Sequence, residues 1–176
     1  VIEEETEEDL RFLAGVGDES LADTVLPTVK SRFLWLLINL GTALLASSVI
    51  KLFDASIEQM VALAVLMPIV ASMGGNAGTQ TMAVTVRAIA MNQLTRSNTR
   101  RIIWRELRVA LLNGTTVAAL IGVATALVFT PTLGAVIALA VVINIITAGL
   151  AGVVVPVVFD RLDQDPAVAS SVFVTM

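Results

Sequence analysis

Long intervals without charged residues dominate the hydrophobic pattern of the chain. They run over 33–50, 59–86 and 109–159, and the last interval is too long for a single crossing. A Thr-Pro-Thr sequence at 130–132 interrupts it near the middle, which is typical of a short turn between two antiparallel helices. Because a membrane-spanning helix needs about 20 mainly apolar residues, the pattern predicts four spans, at about 33–50, 59–86, 109–129 and 133–159.

The remaining segments complete the predicted organisation. Residues 1–31 are predicted to form cytoplasmic connecting and interfacial helices, and 32–176 to form a transmembrane domain. The uncharged stretch 167–176 is too short to cross a bilayer as a helix. We interpret it as the start of a fifth span, and a re-entrant or interfacial tail is the alternative. The predicted fold class is an all-α integral membrane protein.

Composition supports lipid as the solvent of this chain. Hydrophobic residues make up 56% of the sequence and charged residues 15%, and the mean hydropathy is +0.87. Soluble domains usually carry about 45–50% apolar and about 25% charged residues. We therefore expect a multi-pass protein of the cell membrane, with the lipid bilayer as its surroundings.

Basic residues predict the orientation in the membrane. Lys30 and Arg32 precede the first span, and six arginines lie around the connection between the second and third spans, whereas Lys51 is the one basic residue between the first and second. Under the positive-inside rule, both basic sides face the cytoplasm when the N-terminus is cytoplasmic. The six arginines are Arg87, Arg96, Arg100, Arg101, Arg105 and Arg108.

The residue types that the sequence lacks limit the metal sites and the enzyme activities that it can support. The chain has neither cysteine nor histidine, so a bound metal must be met by oxygen ligands. The predicted spans contain no carboxylate or lysine either, so an enzyme is not expected. Six of the first nine residues are acidic, which argues against a nucleic-acid partner. Four of these acids are candidates for sensing cytosolic Mg²⁺, although a solvated helix face is the alternative: Glu4, Glu5, Glu7 and Glu8.

The second predicted span contains a polar, glycine-rich run. Ser72, Gly75, Asn76 and Thr79 recur at spacings of three and four, which places them on one side of a helix. The glycines and Pro68 are expected to loosen the helix, and irregular backbone inside a membrane is tolerated where it is buried or lines a cavity. Exposed carbonyls beside amide and hydroxyl oxygens are typical of cation paths, so the run predicts the wall of such a path.

Close helix packing is the alternative interpretation of the same run. Gly74 and Gly78 form a GxxxG pattern, and the side chains of Asn76 and Gln80 are able to bond a neighbouring helix. The two interpretations are compatible, because a pore wall also packs, and both stay open at this point. Other polar residues in the spans are predicted to bond between helices, and Ala148 with Gly152 to mark a close contact: Asn39, Ser47, Ser48, Asn113, Thr115, Thr116, Asn144 and Thr147.

The run from Pro68 to Gln80, which contains Gly-Gly-Asn-x-Gly-x-Gln, resembles the second-helix signature of the MgtE family of magnesium channels. The acidic N-terminal run, the arginine-rich connection and the Asp165-Pro166 pair agree with this resemblance. It implies a five-helix membrane domain, with the fifth helix only begun in this chain. It also implies a homodimer with one pore on its two-fold axis, through which Mg²⁺ passes largely hydrated.

The resemblance also implies which residues meet the ion. Gly75 and Asn76 of the second helix and Val174 of the fifth are the implied metal contacts, mostly through water or carbonyl groups. An essential aspartate of the family would fall just beyond Met176, so the chain is expected to conduct poorly by itself. Cytoplasmic regulatory domains are expected to have been removed or to be absent. The full set of predicted ion-path residues is Ser72, Gly74, Gly75, Asn76, Ala77, Gly78, Thr79, Gln80, Val174 and Thr175.

Three functional hypotheses follow from the sequence. The first is a magnesium channel or transporter that passes hydrated Mg²⁺ through a pore at a homodimer interface. The second is an ion-coupled transporter of divalent cations that uses the same region. The third is a non-conducting membrane module in which the GxxxG pattern only assembles helices.

Overall fold

The computed structural model describes residues 25–95 and 97–162, and the secondary structure in these ranges is helical. Four of the helices are long and apolar enough to cross a membrane. The prediction of an all-α, multi-pass membrane protein is therefore confirmed. The helices are α1 (Val25–Lys51), α2 (Asp54–Gln59), α3 (Val61–Ala90), α4 (Thr99–Val128) and α5 (Pro131–Arg161), of which all but α2 are the candidate spans.

The helices extend further than the charge-free intervals from which the spans were predicted. Helix α1 begins at Val25, so the segment 25–31 that we predicted as interfacial is continuous with the first span. Helix α4 begins at Thr99, ahead of the predicted start at 109. The difference arises because arginine and glutamate are good helix formers, so backbone hydrogen bonding continues through charged residues at the membrane boundary. The predicted fifth span lies outside the described residues.

The turn between α4 and α5 is built as the Thr-Pro-Thr sequence predicts. Thr130 has an extended backbone and is the N-cap of α5, where its Oγ1 accepts a hydrogen bond from the Leu133 amide at 3.2 Å. Pro131 occupies the first turn of the helix, where its missing N–H costs nothing. The short connection makes α4 and α5 antiparallel neighbours.

Helix α5 lies at the centre of the packed helices, and α3 and α4 both pack along it. Its buried residues recur every three or four positions from Leu133 to Val157, and Val141 is fully buried. Helix α1 makes no extensive contact with these helices, and none of the side chains described in it is buried. The core is therefore a three-helix unit of α3, α4 and α5, with the candidate site on α3.

Candidate ion-path site

Helix α3 carries the polar, glycine-rich run as regular helix. It is continuous from Val61 to Ala90, with Pro68 and the glycines inside it. The expectation that these residues loosen the helix is therefore wrong. Close packing on α5 compensates for the low helix propensity of glycine, and a continuous helix keeps its carbonyls in backbone hydrogen bonds. Carbonyls of the run nevertheless accept second hydrogen bonds from side chains, as Val70 does from Asn144 and Gly75 from Thr79.

One face of α3 packs against α5 within the same chain. Gly74 and Gly78 are buried on this face. A Cβ added at Gly74 would collide with the side chain of Asn144, and one added at Gly152 would lie 2.8 Å from the carbonyl oxygen of Gly78. The GxxxG pattern thus brings α3 and α5 of one chain close together. The predicted close contact at Gly152 is confirmed.

The other face of α3 carries the polar stripe, by which we mean Ser72, Gly75, Asn76 and Thr79. In the single chain Ser72, Asn76 and Thr79 are exposed, and Gly75 is partly exposed. A Cβ added at Gly75 would have nothing within 4 Å. The Thr79 hydroxyl donates to the carbonyl of Gly75 at 2.9 Å. The stripe is therefore presented away from α5, and its role in an ion path stays a prediction.

A cavity of about 540 Å³ lies beside the polar stripe, between α3 and α4, and residues of α5 also line it. Thr81 of α3 donates its hydroxyl to Glu106 Oε1 of α4 at 2.8 Å across this space. The polar residues that line the cavity are Asn76, Gln80, Thr81, Arg105, Glu106 and Asn113. Asn76 and Gln80 of the predicted ion path thus share this space with a carboxylate of the next helix.

Comparison with known proteins identifies the family. The model of the MgtE family, described as divalent cation transporters, matches residues 67–176, which include most of α3 and all of α4 and α5. This chain belongs to the MgtE family. The resemblance inferred from the run 68–80 is therefore confirmed.

Three curated relatives, each named as a magnesium transporter MgtE, resemble the chain over nearly its whole length. The protein of Bacillus subtilis is 32% identical over 177 residues, and that of Enterococcus faecalis is 35% identical over 179 residues; both alignments cover 99% of this chain. The protein of Thermus thermophilus is 31% identical over 174 residues, or 97% of this chain. The chain spans 39% of the length of each of these MgtE relatives.

Glu106 is the polar residue that the sequence analysis missed in this MgtE chain. We predicted spans without a carboxylate because the third span was taken to start at 109. Helix α4 begins at Thr99 and includes Glu106, so that prediction is wrong for the helix. A single acid among the arginines between 100 and 108 was the available signal. Its partner Thr81 lies 25 positions away, which local pattern does not indicate.

The predicted bonds between helices are confirmed at one position and wrong at four. Asn144 Nδ2 donates to the Val70 carbonyl at 2.6 Å, so it joins α5 to α3. Four hydroxyls donate instead to carbonyls of their own helix, which are always within reach three or four residues earlier. They belong to Ser48, Thr115, Thr116 and Thr147.

Several predicted site residues lie outside the part of the MgtE chain that the structure describes. Val174 and Thr175 of the fifth span are among them, as are the four N-terminal acids Glu4, Glu5, Glu7 and Glu8. Within 25–95 and 97–162, no group of three or more acidic residues is positioned to hold a metal ion.

Proposed function

We propose that this chain forms the membrane part of a magnesium transporter, in which hydrated Mg²⁺ passes through a pore between two copies. Membership of a family of divalent cation transporters supports the ion class, and the names of the three relatives support magnesium. The polar stripe on α3 is the single observation that best supports a pore, because it exposes amide and hydroxyl groups along an otherwise apolar membrane helix.

The polar stripe also supports the homodimer. Polar side chains that face lipid without partners are unfavourable, and such residues in spans usually face protein or a water-filled cavity. The opposite face of α3 is already covered by α5. A second copy related by a two-fold axis along α3 would bring two stripes face to face, with water and ions between them.

The chemistry of the stripe suits magnesium. Mg²⁺ gives up its water reluctantly and keeps several waters when it is bound. The Asn76 amide and the Thr79 hydroxyl are able to hydrogen-bond those waters without removing them. Gly75 has no side chain to narrow the space beside these two groups. A neutral, roomy wall therefore fits passage better than tight capture.

The orientation is part of the same proposal. The connection between α3 and α4 lies at the arginine-rich end of both helices, with Arg87 near the end of α3 and Arg100 in the first turn of α4. By the positive-inside rule this end faces the cytoplasm. Because α1 and α3 are consecutive spans, the N-terminus then lies on the cytoplasmic side as well.

Flux through variants of the full-length protein tests the proposal. Asn76→Leu keeps the branched shape of the side chain but removes the amide, so we expect it to abolish most Mg²⁺ uptake into proteoliposomes that contain a magnesium dye. Leu139→Ile is the control, since Leu139 is 62% exposed on a different helix, α5. Full uptake by Asn76→Leu would contradict the pore and favour a helix-assembly role. Uptake that requires a fixed ratio of sodium or protons would favour the coupled transporter.

A further inference from the structure

The cavity between α3 and α4 exists because both helices pack along α5 and make little contact with each other. The hydrogen bond from Thr81 to Glu106 crosses it. Thr81 lies nine residues before the end of α3 at Ala90, and Glu106 lies seven residues after the start of α4 at Thr99. At a rise of 1.5 Å per residue, the bond is about 10–14 Å along the helices from their arginine-rich ends.

Glu106 is a largely buried carboxylate whose ion pair with Arg105 is long and lies on the exposed side of that arginine. The Glu106 side chain is 13% exposed, and Oε2 lies 3.7 Å from Arg105 Nη1, whose side chain is 68% exposed. That separation is too long for a hydrogen bond, and Oε1 receives only the neutral hydroxyl of Thr81. Removing a carboxylate from water is costly unless it is paired and hydrogen-bonded. The chemistry of this position therefore favours a cation in the cavity.

We propose that this cavity binds a divalent cation with its water shell, and that Glu106 is the charged partner of that ion. The inference rests on the proposed function, since the same ion is taken to move along the neighbouring polar stripe. The amides of Asn76, Gln80 and Asn113 line the same space and are able to hydrogen-bond the ion's waters. Because Asn76 belongs to both the cavity and the stripe, an ion held here lies directly beside the proposed path.

The size and the donor set favour a hydrated ion over a dehydrated one. Six waters at about 30 Å³ each occupy about 180 Å³, which fits within a cavity of about 540 Å³. One carboxylate and neutral amides are too weak a ligand set to strip water from Mg²⁺. The site would therefore concentrate hydrated ions next to the path without trapping them.

Arg105 is expected to weaken cation binding in this cavity, and its substitution therefore provides a second test. Its guanidinium lines the cavity, repels a cation and competes for Glu106 Oε2. Removing this charge should strengthen cation binding, whereas a purely structural Arg105–Glu106 pair would leave it unchanged. Substitutions of two adjacent residues are thus expected to change the affinity in opposite directions.

The test uses Mn²⁺ as a paramagnetic divalent probe, counted by EPR on the full-length protein in lipid nanodiscs, with Mg²⁺ as competitor. Glu106→Gln keeps the volume and an oxygen that accepts from Thr81 but removes the charge, so we expect one Mn²⁺ site to weaken by about 10–100-fold. Arg105→Gln should bind several-fold more tightly at this site. Thr81→Val removes the hydrogen bond but keeps the carboxylate, and should keep the site.

Unchanged Mn²⁺ binding by Glu106→Gln would overturn the inference. Weaker binding by Thr81→Val together with normal binding by Glu106→Gln would show instead that the hydrogen bond between the helices, and not the charge, maintains the site. If Glu106→Gln does not fold, Asn113→Leu replaces it, since Asn113 is exposed and this variant keeps the charge of Glu106. We expect Asn113→Leu to bind Mn²⁺ several-fold more weakly. Unchanged binding by Asn113→Leu would contradict the inference. Wild-type Mg²⁺ flux is measured separately, so its absence counts against the proposed function rather than against this site.

Discussion

Gly152 and Gly75 are both glycines inside membrane helices, but their surroundings differ. A Cβ added at Gly152 would lie 2.8 Å from the Gly78 oxygen, 2.9 Å from Thr81 Cβ and 3.0 Å from the Met82 nitrogen. A Cβ added at Gly75 would meet nothing within 4 Å. We therefore expect Gly152→Ala to push α5 away from α3, and Gly75→Ala to leave the packing of the chain unchanged.

Two contributions determine the magnitude. Replacing a helical glycine by alanine gains about 0.5–1 kcal/mol from helix propensity, and this gain applies at both positions. Overpacking costs about 1–3 kcal/mol and applies only at Gly152. The upper part of that range is appropriate because two of the three contacted atoms belong to the backbone of α3 and cannot rotate away. Since the propensity gain cancels, the two variants should differ by about 2–3 kcal/mol in free energy of unfolding.

Reversible unfolding of the full-length protein in mixed detergent micelles, titrated with SDS, measures this difference. Gly41→Ala is a second reference, because Gly41 of α1 also has nothing within 4 Å of an added Cβ. We expect Gly75→Ala and Gly41→Ala to unfold at or above the wild-type SDS concentration, and Gly152→Ala well below it. Equal stability of Gly152→Ala and Gly75→Ala would refute the close packing of α3 on α5.

Two further predictions concern single hydrogen bonds and use the same unfolding measurement. Asn144→Leu removes the hydrogen bond to the Val70 carbonyl and should lower the free energy of unfolding by about 0.5–1.5 kcal/mol. Thr147→Val loses a bond within its own helix and should lower it by less. The reverse order would contradict the interhelical role of Asn144. Thr130→Ala removes the N-cap of α5 and should lower the free energy of unfolding by about 1 kcal/mol. Thr132→Ala is the control and should be nearly neutral. Equal effects of the two variants would argue against the cap.

Features that depend on local sequence were predictable, and features that depend on contacts between helices were not. The spans followed from intervals without charge, and the turn at 130–132 from the chemistry of proline and threonine. Whether Gly74 and Gly78 pack against another helix was left open, because the answer depends on Asn144 and Gly152 of α5 being opposite α3. Sequence spacing contains no information about that neighbour.

The errors have the same physical origin. A hydroxyl in a helix always has a carbonyl of its own helix within reach, so Thr115 and Thr116 needed no partner on another helix. The regular helix through the glycine run depends on packing that buries Gly74 and Gly78. Glu106 was assigned to a connection because charge was read as a boundary, although α4 continues through it.

Cysteine accessibility tests most directly whether the polar stripe faces an aqueous ion path. The chain has no cysteine, so Asn76→Cys is placed in a full-length protein without other cysteines and treated with a charged, membrane-impermeant thiol reagent. Leu120→Cys is the control, because Leu120 is 69% exposed on α4 and is expected to face lipid. We predict that Asn76→Cys reacts, that Mg²⁺ slows the reaction, that the modification blocks Mg²⁺ flux, and that Leu120→Cys does not react. An unreactive Asn76→Cys, or full flux after its modification, would contradict the account.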